Sequence, residues 1–106
     1  MQSVEEDAGG GTIDLPLGEV FEIRLRENPM TGFRWNLVTD GAPGCALIHD
    51  NFMPGSTVPG QGGVHSWRFR GLHAGGCVIE LHHGRPWERG ESAGRPFILH
   101  VRVKQP

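Results

Sequence analysis

Over residues 20–26, apolar Phe21, Ile23 and Leu25 alternate with charged Glu22, Arg24 and Arg26. A period of two puts one set on each face of a strand, as in an antiparallel sheet packed on one side. The pattern returns downstream. His65, Trp67 and Phe69 alternate with Ser66, Arg68 and Arg70, and Cys77, Ile79 and Leu81 with Val78, Glu80 and His82. Near the end Phe97, Leu99, Val101 and Val103 alternate with Ile98, His100, Arg102 and Lys104. Shorter runs cover residues 11–16, with Ile13 and Leu15 on one face, and 33–38, with Phe33, Trp35 and Leu37. Trp35 is expected in the core, because large aromatics on a strand's apolar face are normally buried. Residues 45–52 have weak periodicity and read as a strand or as a short helical turn. Seven or eight short strands separated by Gly- and Pro-rich turns predict an all-β fold, an immunoglobulin-like antiparallel β-sandwich.

Composition sharpens this picture without redirecting it. The chain has 106 residues with 17 Gly and 8 Pro, enough for one cored domain and poor in opportunities for long helices. Residues 11–106 read as a single domain. Residues 1–10, with Glu5, Glu6 and Asp7 ahead of a glycine run, read as a flexible, solvated tail. A formal net charge of −2 argues against a nucleic-acid partner, which calls for a basic stripe. No apolar run approaches the ~20 residues that span a bilayer. The amino-terminal stretch shows no signal-peptide pattern. The compartment stays open between the cytosol and, for a mature domain, the periplasm or the exterior. Nothing in the pattern calls for an obligate oligomer, and a monomer is expected.

Three connections carry more than turn chemistry. Asn28-Pro29-Met30-Thr31-Gly32-Phe33 interrupts the strand pattern. Asn28 favours turn initiation, Pro29 fixes φ, and Gly32 permits a reversal, which together make a stiff exposed loop. A loop stiff at both ends loses little entropy on binding. Gly60-Gln61-Gly62-Gly63 looks superficially like a phosphate loop, but a strand follows it and no helix N-terminus is there to hold an anion. Arg85-Pro86-Trp87 places a tryptophan among charges, outside any alternation, and Trp and Arg are the residues that most often dominate binding energy. Alternate connections of a sandwich lie at one end, so the three are expected to cluster there.

In order and spacing these segments resemble the chagasin family of cysteine protease inhibitors. The first is similar to its Asn-Pro-Thr-Thr-Gly-Tyr/Phe loop, the second to its Gly-x-Gly-Gly loop, and the third to its Arg-Pro-Trp loop. The likeness runs from about Gly11 onward. Met30 departs from the Thr or Ser common at that place, which implies an altered target preference. The resemblance implies a tight, reversible inhibitor of papain-like cysteine proteases, acting through residues 28–33, 59–64 and 84–90, with no cofactor and no catalysis of its own. Met30 and Thr31 would cover the catalytic Cys and His of the protease. Gly62 and Gly63 would lie along the cleft, and Trp87 would pack beyond it with Arg85 in support.

Other readings stand beside this one. An immunoglobulin-like adhesion or ligand-binding module could use the same loops on another partner. Cys45 and Cys77 sit at apolar phases and read as two buried free thiols, with a disulfide as the alternative. A catalytic Cys–His pair lacks the electropositive turn or helix start that lowers a thiol pKa. His65, His73, His82, His83 and His100 match no zinc spacing, and adjacent His82 and His83 point to opposite faces of a strand. These histidines read as solvated groups on wet faces.

Overall fold

The computed structural model describes residues 1–28, 34–55, 62–84 and 96–105. Eight strands form two four-stranded sheets. In chain order they are β1 (Gln2–Val4), β2 (Thr12–Pro16), β3 (Val20–Glu27), β4 (Arg34–Asp40), β5 (Cys45–Pro54), β6 (Gly63–Gly71), β7 (Gly75–Gly84) and β8 (Pro96–Lys104). One sheet runs β1-β3-β6-β5 and the other β2-β8-β7-β4.

The inward faces of both sheets supply the core. Phe21, Ile23 and Leu25 of β3 and Trp67 and Phe69 of β6 come from one sheet; Ile79 and Leu81 of β7 and Phe97, Leu99, Val101 and Val103 of β8 come from the other. These are the apolar positions of the alternation. Phe21 and Phe69 face each other across the β3–β6 ladder and stack with centroids 5.4 Å apart. Each fully buried side chain of this size stabilises the fold by roughly 1.5–3 kcal/mol relative to exposure.

Three expectations are revised, and the strand-or-turn alternative at residues 45–52 is decided for the strand. The sandwich is not wholly antiparallel, because β1 pairs with β3 and β2 with β8 in parallel. Residues 1–10 are not a free tail. Gln2 pairs with Phe21 and Val4 with Ile23, a 3₁₀ turn follows at Glu6–Ala8, and Glu6 Oε1 accepts from Arg26 N at 2.5 Å. The sequence hides this strand because it lies at a sheet edge with its first two side chains exposed. Residues 45–52 belong to β5, also an edge strand, whose register shifts between Leu47 and His49. A bulge inserts one residue and breaks the period, which is why alternation fails there. Trp35 lies at the margin of the core, half-buried, with its indole ring stacked on His83 at 4.7 Å.

Strand pairing fixes the two ends of the sandwich. Glu27 and Pro54 both pair with Gly63 at one end of the first sheet. Arg34 pairs with Gly84, and His82 with Pro96, at one end of the second. Turns 41–44 and 72–74 close the opposite end, where Leu72 N and His73 N both donate to Gly44 O.

Candidate functional site

The described residues that flank segments 29–33, 56–61 and 85–95 all lie at one pole. Of the predicted site residues, Asn28, Gly62 and Gly63 are among those described; Pro29, Met30, Thr31, Gly32, Phe33, Gly60, Gln61, Arg85, Pro86 and Trp87 lie outside them.

Glu27 is the centre of this pole. It continues the inward phase set by Phe21, Ile23 and Leu25, so the backbone drives a carboxylate into the sandwich, where it is 5% exposed. A charge at that depth needs partners on both oxygens. Oε2 accepts from the backbone N–H of Trp35 at 2.6 Å, and Oε1 meets His65 Nδ1 at 3.0 Å. The first bond crosses from β3 of one sheet to β4 of the other, joining the two strands that segment 29–33 connects. The Trp35 indole reinforces this by donating from Nε1 to Arg26 O at 2.9 Å.

His65 extends the arrangement. Its ring lies flat on Trp67 at 3.9 Å, and its Nε2 is hydrogen-bonded to Asp50 on β5. The imidazole thus bridges β3, β6 and β5, the strands that end or begin at segments 29–33 and 56–61. On the other sheet, Trp35 stacks on His83, one residue before Gly84 and segment 85–95. Burial lowers the His83 pKa from its ordinary value, while the nearby Glu27 carboxylate pulls the other way. Glu27, Trp35, His65 and His83 therefore join the stems of all three segments.

The two described glycines of the second motif are dictated by close approach of backbone. Gly62 has φ +71°, and a Cβ there would come within 3.0 Å of Glu27 O and 3.1 Å of Asn28 Cβ. A Cβ at Gly63 would lie 2.2 Å from Met53 O and 2.8 Å from Pro54 Cα. No side chain fits either position without moving backbone. The motif thus lets the start of β6 pass between β3 and β5.

His65 and His83 are not the solvated wet-face groups that the sequence suggests, since His65 is bonded to Glu27 and packed on Trp67 and His83 is stacked on Trp35. The inward placement of Glu27 and His65 was nonetheless legible. Both carry polar side chains at the inward phase of an otherwise apolar alternation, a signal of a buried polar pair. Among the described residues the pole presents hydrogen-bonded supports and no nucleophile beside a general base. Its chemistry is that of a scaffold for the segments it holds.

Comparison with known proteins agrees with this architecture. Residues 14–101 match the family described as chagasin family peptidase inhibitor I42. The chain is 34% identical over 106 residues to amoebiasin-1 of Entamoeba histolytica, covering 96% of this chain and 99% of that protein. It is 29% identical over 99 residues to chagasin of Trypanosoma cruzi, covering 89% and 90%. The crystal structure of the cysteine protease inhibitor EhICP2 from Entamoeba histolytica superposes with a TM-score of 0.80 at 24% identity, over 97% of this chain and 94% of that one.

Proposed function

This chain belongs to the chagasin family of peptidase inhibitors, and from that membership we propose that it inhibits papain-like cysteine proteases, reversibly and tightly. Segments 28–33, 59–64 and 84–90 fill the active-site cleft. The observation that carries the reading is the convergence of the stems of those segments on one pole, joined through Glu27, Trp35, His65 and His83. The three family-like motifs fall in the segments that these stems support. The description of EhICP2 as a cysteine protease inhibitor supports the class of target.

The mechanism is occupation without reaction. A cleft that binds extended peptides offers unpaired backbone groups, and rigid loops fill it without placing a scissile bond in attack geometry. Met30 and Thr31 cover the catalytic Cys and His, residues 60–63 lie along the cleft, and Trp87 anchors beyond it with Arg85 in support. Stems that are already joined to one another before encounter reduce the ordering cost of binding, about 0.5–1.5 kcal/mol per immobilised side chain.

Titration of papain and a cathepsin L-like enzyme against a fluorogenic peptide tests the proposal. Activity should vanish at near-stoichiometric inhibitor, and the inhibitor should remain uncleaved for hours. Trp87→Ala should raise the inhibition constant about 30-fold, mostly through faster dissociation. Thr31→Ala and a bulky residue at Gly32 should also weaken inhibition. Full activity of both enzymes at micromolar inhibitor, or variants indistinguishable from the parent, would refute the three-segment mechanism.

A further inference from the structure

The pole opposite these segments holds a second arrangement, built around sulfur. Cys45 opens β5 in one sheet and Cys77 lies in β7 of the other, yet their Sγ atoms are 3.3 Å apart. Both are free thiols. Turn 41–44 is cut back around them. A Cβ at Gly44 would lie 3.1 Å from Cys77 Cβ and 3.2 Å from its Sγ, and one at Gly41 would lie 3.3 Å from Cys45 Cβ and 3.5 Å from Cys77 Sγ. Backbone bonds hold the turn in place, with Cys45 N donating to Gly41 O at 3.1 Å and Leu72 N to Gly44 O at 2.7 Å.

The two sulfurs are unequal. Cys45 is 1% exposed, whereas Cys77 is half-buried and lines an open cavity of about 240 Å³ with Gly41, Pro43, Gly44, His73 and Gly76. We propose that Cys45 and Cys77 are a disulfide-forming site that clamps the two sheets together at this pole, installed by exchange with a small-molecule disulfide of the glutathione class.

The order of events follows from access. Burial, then the hydrogen bond with Cys77, pushes the Cys45 thiol up to about 12, so Cys45 is not the entry point. Cys77, deprotonated, attacks one sulfur of the reagent through the cavity and forms a mixed disulfide, expelling the other half as a thiolate. Cys45 then gives up its proton to solvent, and its sulfur attacks the Cys77 sulfur and expels the second thiolate. The two protein thiols lose two electrons, and the reagent gains them as two thiols. A bonded sulfur pair sits ~2.05 Å apart, so the closure moves the sulfurs by only about 1 Å. The bond would link residues 32 apart in sequence, closing a loop of chain that contains β6, and constrain the unfolded chain accordingly.

The experiment incubates the full chain with oxidised glutathione at mildly alkaline pH, followed by intact mass, a non-reducing peptide map and thermal melting. The expected product has lost two hydrogens, yields a cross-linked Cys45–Cys77 peptide, and melts higher by on the order of 10 °C. Reduction should reverse all three changes. Cys45→Ser should stop at a glutathione adduct on Cys77, and Cys77→Ser should leave Cys45 unmodified in the folded chain. In the parent chain, a persistent Cys77 adduct without closure, thiols that both stay free, or disulfides only between chains would each overturn the proposal.

Discussion

The two poles of the sandwich are closed by different means. At the turn pole, apart from the Cys45–Cys77 sulfur contact, the joints are backbone: Gly18 N donates to Gly71 O and Gly71 N to Glu19 O, both at 3.0 Å, and Gly44 O takes two donors from the next turn. Gly18, Gly41 and Gly75 adopt positive φ there, a conformation that costs glycine nothing. At the loop pole the cross-sheet joint is made by a buried carboxylate, supported by two histidines and a tryptophan. A backbone joint depends little on side-chain identity beyond its glycines. A side-chain joint couples stability to the placement of whatever the strands carry. Perturbing the loop pole should therefore change stability and inhibition together, and perturbing the turn pole should change stability alone.

The largest break in that comparison is expected from Gly63→Ala. The methyl would meet the carbonyl oxygen of Met53 and the Cα of Pro54, and β6 is flanked on both sides, so no free edge can relax. A loss of about 3 kcal/mol in denaturant melts is expected, with weaker inhibition by the protein that remains folded. A normally stable variant would show that the start of β6 is looser than the pairing indicates. Glu27→Ala should cost about 2 kcal/mol, because it leaves the Trp35 N–H and the His65 ring without their acceptor. Combined with His65→Ala its effect should be less than additive, as expected of residues sharing one network. Strict additivity of the two melts would argue that the contacts act separately.

Most of the fold was legible because both central strands of each sheet obey the period of two. Phe21 to Leu25, Trp67 to Phe69 and Phe97 to Val103 are inward where the alternation places them. The edges were harder to read. β1 has too little buried surface to show a pattern, and the bulge in β5 resets its phase. The parallel pairing of β1 with β3 and of β2 with β8 leaves no mark on period at all. At the site, the motifs were conspicuous through their turn chemistry, whereas the supports were not. Glu27 and His65 stand at inward positions, but their polarity reads as a strand end until the partner oxygen and nitrogen are brought together by the β3–β6 register. Trp35 misled for the opposite reason, since its indole N–H draws it to the Arg26 carbonyl at the rim.

Gly41→Ala sharpens the comparison from the turn pole. It places a side chain at φ +84° with its Cβ 3.3 Å from both Cys45 Cβ and Ile79 Cγ1. A cost of about 1–2 kcal/mol is expected from the conformation and the crowding. The inhibition constant of the folded variant should match that of the parent, because the strain lies at the far end from Glu27. A matched loss of affinity would mean that the poles are mechanically coupled and that the division between them is wrong.

The smallest effect is a pH dependence at the loop pole. His83 has its pKa lowered from 6.5 by burial, with Glu27 opposing, and its ring stacks on Trp35. A histidine depressed in the folded state binds its proton more readily when unfolded, so its contribution to stability is full above the unfolded pKa. That contribution is lost as pH falls through the folded value. His83→Phe keeps an aromatic ring against Trp35 and removes the titration. Between about pH 7 and about pH 5, the melting temperature of the variant relative to the parent should rise as the solution is acidified. Glu27→Gln removes the opposing charge, so it should lower the His83 pKa further and steepen the acid loss that His83→Phe relieves. A variant-minus-parent difference that stays flat with pH, in either background, would assign the acid sensitivity of this pole to groups other than His83.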